Sequence, residues 1–243
     1  MLDATSVTER TIGRHKFGFL LVMAVILFLA VAACSSDEIP VDFALEDIDR
    51  SPETPIVIPL GEPLVIGVSS ALTGPAAPLG QEYRDAVVMA VEQWKTQNGP
   101  MIGGHQIMVV SEDDGCTESD VTRLAAERLL KQPGLVGVLG PQCSAGAVRT
   151  EMIYADAGIV MISGSATSTN LAEDQQGDGF FFRTAYRNDS HGVLVGVYFS
   201  DPEFLGASSA YIVHDNETYG TDLALKAESF LVVADLQVTV TSV

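Results

Sequence analysis

From Glu62 onward, short β-branched apolar runs alternate with longer stretches whose apolar residues recur at helical spacing. Leu64–Ser69 (LVIGVS) has the composition of a strand buried on both faces of a parallel sheet. Glu82 to Trp94 places Ala86, Val87, Ala90, Val91 and Trp94 on one helical face, and Asn98-Gly99-Pro100 stops it. That stripe, Trp94 included, is expected to be core. Gln106–Val110 (QIMVV) is a second strand, and Thr117-Glu118-Ser119-Asp120 forms a capping box before a helix reaching Lys131. Leu135–Leu139, a helix over Ser144–Ala157 and Ile159–Ser163 continue the alternation.

Phe180–Thr184 is a further strand, and Ala185–Asn188 has the character of a crossover between lobes. A helix over His191–Phe199, a strand at Ala210–Val213, a helix over Thr221–Ala234 and a strand at Val238–Val243 follow. Repeated β-α-β units with short connections predict an α/β fold: a doubly wound parallel sheet covered by helices, over 62–185. The units over 186–243 are too few to cover both faces of a sheet, so the second α/β lobe is expected to be partial and the chain truncated.

The N-terminal 61 residues have a different pattern. Arg10, Arg14 and Lys16 precede an apolar run from Phe17 to Ala33, and small residues lead to Cys34. This is the layout of a bacterial secretion signal, residues 1–33, of the lipoprotein kind in which Cys34 carries the lipid. The run lies at the short edge of a bilayer span, and Ser35, Ser36, Asp37 and Glu38 follow it in place of a basic stop-transfer cluster. Residues 34–61 are acidic and contain Pro52, Pro55 and Pro59, which suits an extended spacer.

Composition narrows the partners. The net charge is −19, and the expected leader removes three basic against two acidic residues. Such a surface opposes nucleic-acid binding and adsorption to anionic lipid, so a membrane link must be covalent. With Cys34 lipidated, Cys116 and Cys143 remain, as a disulfide or as two buried thiols. His15, His105, His191 and His214 form no cluster at metal-ligand spacing, and no cofactor is expected.

In a doubly wound sheet, ligands bind beyond the carboxyl ends of the strands. Loops rich in small polar residues stand at those ends: Ser69–Gly74, Gly140–Ser144, Ser163–Ser168 and His214–Gly220. Hydroxyls beside the free N–H groups of a helix start suit an anion such as a carboxylate. Dinucleotide, Walker A, nucleophile-elbow and H-E-x-x-H motifs are absent, so no enzymatic activity is expected. Asp113-Asp114 ends a strand, where adjacent side chains diverge, so the pair reads as surface or capping residues.

Taken in order, Ile66-Gly67-Val68 with Leu72-Thr73-Gly74-Pro75, Glu112 to Cys116, Gly140 to Ser144, Met161 to Thr167, Phe182-Arg183-Thr184 and His214-Asp215 with Tyr219-Gly220 resemble type I periplasmic binding proteins. The leucine/isoleucine/valine-binding receptors of ABC importers are the subfamily most similar. The resemblance implies two α/β lobes that close on a ligand, with Arg183 to Asn188 near the first hinge crossing. It implies that Ser144 and Thr167 bind the ligand carboxylate, that the Ser165 backbone accepts from its ammonium, and that Tyr219 covers it. It also implies a Cys116–Cys143 disulfide beside the cleft and delivery to ABC permease subunits.

Two departures stand out. Leu79 occupies the place where those receptors carry a tyrosine over the ligand, and the family's acidic partner for the amine comes later than Val243. The expected function is a lipid-anchored receptor for a small amino-acid-like solute, with aliphatic amides and urea-like solutes left open. The rival readings are a sensor module of the same fold and, further off, an envelope hydrolase.

Overall fold

The computed structural model describes residues 55–117, 119–171 and 179–243. The signal-like segment, Cys34 and the spacer up to residue 54 lie outside them. The described elements are β1 (Leu64–Ser70), α1 (Ala77–Asn98), β2 (Met101–Ile102), β3 (His105–Asp113), α2 (Asp120–Leu130), β4 (Leu135–Leu139), α3 (Ser144–Asp156), β5 (Val160–Ser163) and β6 (Phe181–Arg183). After them come α4 (Asn188–Ser200), β7 (Ser209–His214), α5 (Thr218–Val233) and β8 (Gln237–Ser242).

Two sheets result. The first has six strands in the order β2-β3-β1-β4-β5-β6, parallel throughout except for the β2–β3 hairpin. β1 sits between β3 and β4, so successive strands leave it in opposite directions. That reversal is the topological switch point at which such sheets bind ligands. The second sheet is the parallel pair β7–β8. Along β7 Tyr211 and Val213 are exposed while Ala210 and Ile212 are half-buried.

The core lies under β1, β4 and β5. Leu129, Leu135, Tyr154, Ile159, Met161 and Leu171 are fully enclosed there, with Val65, Val138 and Phe181 around them. Ile56 also packs on this cluster, so the end of the proline-containing stretch is attached to the domain it precedes. Helices α4 and α5 meet closely because α4 offers glycines at the contact. A Cβ on Gly192 would lie 2.8 Å from the Lys226 backbone, and one on Gly196 would lie 2.9 Å from the Phe230 Cβ.

Several expectations need correction. Helix α1 begins at Ala77, with a proline in its first turn, five residues before the expected start. Its buried stripe is only Gly80, Val87 and Val91; Ala86 and Ala90 are exposed, and Trp94 is 36% exposed and is not core. The cap of α2 is Ser119, whose hydroxyl accepts from the Val121 N–H; the Thr117 hydroxyl bonds to Ser119 instead of to the helix. Asp113 accepts from loop groups at Leu72, Thr73 and Gly115, and Asp114 is fully buried, so neither caps a helix.

Candidate ligand-binding site

The loops at the carboxyl ends of β4 and β5 are tied into one unit. The Ser163 hydroxyl donates to the Pro141 carbonyl at 2.6 Å and accepts from the Ala166 N–H at 3.0 Å. The Ser165 hydroxyl donates to the Gln142 carbonyl at 2.7 Å. Ser144, in the first turn of α3, is buried, and its oxygen accepts from the N–H groups of both Thr167 and Ser168 at 3.2 Å. With both lone pairs used, the Ser144 hydroxyl has only its proton to offer a ligand. The Thr167 hydroxyl, on a residue only 6% exposed, has no partner among the described residues. A buried hydroxyl without a partner is costly unless something polar meets it.

Two further residues brace this loop. Arg183, from β6, donates to the carbonyls of Ala166, Ser168 and Leu171. Burial lowers its guanidinium from the ordinary value, while Asp189, Asp222 and Glu151 act in the opposite direction. Tyr83, one turn beyond Leu79 on α1, accepts from the Gly164 N–H at 3.2 Å. Burial raises its phenol, the Gly164 bond opposes this, and Asp114 adds to the rise. Neither residue was singled out by sequence for this task, because their partners are carbonyls and amides that every loop possesses.

Behind the loops, Cys116 and Cys143 form a disulfide, which resolves the two alternatives left open by composition. The Asp114 carboxylate accepts from the Cys116 N–H at 2.9 Å and from the Ser69 hydroxyl at 2.9 Å. Asp113 accepts from the Leu72 and Gly115 N–H groups and from the Thr73 hydroxyl.

A cavity of about 310 Å³ opens where these loops face α4 and the β7–α5 loop. One side is formed by Gln142, Ser144, Ser165, Thr167 and the disulfide, and the other by His191, Asp215, Glu217 and Tyr219. The structure therefore brings together Ser144, Ser165, Thr167, Tyr219, Cys116 and Cys143. It does not bring in Leu79, which is 62% exposed and lines no part of the cavity. His191 enters from a helix whose sequence carried no ligand signal, and Gln142, Asp215 and Glu217 lay in candidate loops without being singled out.

The sequence model of periplasmic binding proteins matches residues 63–243. The chain belongs to this family. An amino acid binding protein of Pseudomonas aeruginosa is 32% identical over 161 residues, covering 66% of this chain and 41% of that protein. Further relatives bear the names leucine-specific or Leu/Ile/Val-binding protein, as the sequence motifs led one to expect. The chain spans less than half the length of these curated relatives.

Among solved structures, the branched-chain amino acid receptor LivJ of Streptococcus pneumoniae, in complex with isoleucine, aligns with a TM-score of 0.62 at 23% identity, over 74% of this chain and 49% of that one. A solute binding protein from R. palustris, in complex with benzoate, aligns with a TM-score of 0.63 at 21% identity, over 74% and 48%. The fold is the type I periplasmic-binding-protein fold.

Proposed function

We propose that this chain is the ligand-binding part of an extracytoplasmic receptor for a small amino-acid-like solute, which it delivers to the permease of an ABC importer. The observation that carries the reading is the unpartnered, buried Thr167 hydroxyl in a cavity at the sheet's switch point. It lies next to the Ser144 hydroxyl and the start of α3, whose first N–H groups are met by no capping side chain and favour an anion. A ligand carboxylate completes the hydrogen bonding of this corner.

In this reading the β1–β6 layer and the β7–β8 layer act as two lobes, and Ala185–Asn188 is a hinge crossing. Ligand touching both sides of the cavity shifts the population toward the closed form. Chemistry on the ligand is not required. Ser144 contacts two amides and makes no hydrogen bond to His191 among the described residues, which is not the arrangement of an activated nucleophile. Lipidation at Cys34 would hold the receptor at a membrane, with the acidic stretch that precedes Ile56 as tether. The relatives' names support the amino-acid class, and the isoleucine and benzoate complexes of the same fold bracket the chemistry the cavity has to choose between.

Thermal unfolding of the full chain against a panel of L-amino acids tests the reading. A saturable rise in Tm with one or more of them supports it. A flat response to the whole panel, confirmed by calorimetry, removes the amino-acid assignment.

A further inference from the structure

Among the described residues no strand pairing joins the β1–β6 sheet to the β7–β8 pair. The spacing of the cavity's two sides therefore rests on packing, on side chains and on the chain crossing at Ala185–Asn188. Asp222 stands at that junction. It lies on α5, three residues after Tyr219, which lines the second side of the cavity. On a helix, residues three apart share a face.

The Asp222 carboxylate is buried and both of its oxygens are used. Its Oδ2 accepts from the Thr169 N–H at 2.8 Å and from the Asn188 side-chain amide at 2.7 Å, and its Oδ1 accepts from the Thr169 hydroxyl at 2.6 Å. None of these partners belongs to α5 or to the β7–β8 pair, so the carboxylate adds nothing to the hydrogen bonding of its own helix. Thr169 stands two residues past Thr167, which lines the first side of the cavity. Asn188 ends the crossing, and its amide also reaches the Tyr219 carbonyl at 3.5 Å. One carboxylate thus joins a loop before the crossing to a helix after it. Arg183 holds the same loop from its own side, through the carbonyls of Ala166, Ser168 and Leu171, and is drawn to Asp222 by charge.

Resting on the reading of this cavity as the solute site, we infer that Asp222 is a positioning residue: it latches α5 to the loop after β5 and keeps the two sides of the cavity at binding distance before a ligand arrives. Asp222 lines no part of the cavity. Its effect on affinity runs through the population of the binding-competent spacing, because apparent affinity scales with that population. Without the latch, a ligand has to draw the sides together at the expense of its own binding.

The test is pulsed electron spin resonance on the full chain, spin-labelled at Met89→Cys on α1 and Leu225→Cys on α5 in a Cys34→Ser background. Both labelled positions are exposed. The parent, Asp222→Ala and Asp222→Asn are compared without ligand and with saturating L-leucine, L-isoleucine or L-valine, whose affinities are measured by calorimetry. In Asp222→Ala the ligand-free distances are expected to lengthen and spread, and a saturating amino acid brings them back toward those of the parent. Its amino-acid affinity falls by about tenfold. Asp222→Asn rescues both, because an asparagine carbonyl can take the two Oδ2 donors while its amide donates to the Thr169 hydroxyl oxygen. A merely structural role would produce neither longer distances in the folded chain nor their recovery with ligand. Should Asp222→Ala not fold, Thr169→Val removes one of the three bonds and carries the same test, with a smaller shift in the same direction. Distances and affinity equal to the parent's in the folded variant overturn the inference. A parent that binds none of the three amino acids removes the reading of the cavity, and the ligand-free distances then decide the latch by themselves.

Discussion

The Asp222 carboxylate accepts both the backbone N–H of Thr169, at 2.8 Å, and the Thr169 hydroxyl, at 2.6 Å. Asp222 lies on α5, which packs beside the β7–β8 sheet, whereas Thr169 follows β5 two residues after Thr167. The side-chain amide of Asn188, in the first turn of α4, donates to the same carboxylate at 2.7 Å, and the Asn188 N–H donates to the Thr167 carbonyl at 2.9 Å. All three side chains are buried. One carboxylate thus fastens α5 to the loop that carries the cavity's free hydroxyl.

Replacing it uncovers buried donors. Asp222→Ala leaves the Thr169 N–H and the Asn188 amide without this acceptor, and is expected to lower stability by about 2–3 kcal/mol. The urea midpoint of the full chain measures it, with Asp215→Ala as a more exposed control on the same side of the cavity. A midpoint unchanged by Asp222→Ala would mean that water or a rearranged partner replaces the carboxylate.

The disulfide closes a loop of 27 residues between Cys116 and Cys143. The chain-entropy relation assigns such a loop a contribution of roughly 3.5 kcal/mol. Reduction of the full chain is therefore expected to lower the unfolding midpoint markedly, with mass spectrometry confirming two added hydrogens. Both cysteines border the cavity, so ligand affinity is expected to fall in the same experiment. An unchanged midpoint after complete reduction would show that the surrounding packing fixes this region unaided.

Adjacent aspartates are expected to tilt stability in opposite directions with pH. Burial raises the Asp114 carboxyl, with the Cys116 and Ser69 hydrogen bonds opposing and Asp113 adding to the rise. A carboxyl raised on folding contributes stability below the ordinary carboxylate value, and loses it as pH rises through the folded value. For Asp113, burial raises the carboxyl, but hydrogen bonds from Thr73, Leu72 and Gly115 outweigh it, and the net direction is down. Its contribution is present above the ordinary value and is lost as pH falls through the folded one. Asp114→Asn, whose amide oxygen can still accept from the Cys116 N–H, should flatten the loss of stability with rising pH just above about pH 4. Identical slopes in parent and variant, from urea midpoints measured between pH 3 and 7, would assign that slope to other groups.

The alternation of strand and helix was legible because parallel strands buried on both faces must be β-branched and apolar. Leu64–Ser70, Leu135–Leu139 and Val160–Ser163 satisfy that demand within one or two residues. Where burial is partial the signal fades. β3 continues through Ser111, Glu112 and Asp113, half-buried residues that apolarity cannot mark as strand. β2 is two exposed residues, although Gly103-Gly104, both at positive φ, is a hairpin signal in the sequence. The start of α1 was hidden by Pro78 and Gly80, which suggest a loop when read locally.

The site was legible where it consists of small polar residues just past strand ends, as with Ser144, Ser165 and Thr167. Leu79 was placed by motif position alone, and on the exposed surface of α1 it lines no part of the cavity. Arg183 and Asp222 could not be read, because each acts on backbone groups or side chains distant in sequence. Asp222 and Thr169 are 53 positions apart. His191 reaches the cavity only because α4 packs where it does.

The most direct test of the central claim is calorimetric titration of the full chain and of Thr167→Val with the amino acid that most raises Tm. Valine keeps the shape of threonine and removes one hydroxyl that makes no hydrogen bond within the described residues. Loss of a hydrogen bond to a charged carboxylate corresponds to about 1.5–3 kcal/mol, or roughly tenfold to a hundredfold in affinity. The account predicts that loss, with an unfolding midpoint at or above that of the parent in the absence of ligand. Unchanged affinity would place the solute somewhere other than this cavity.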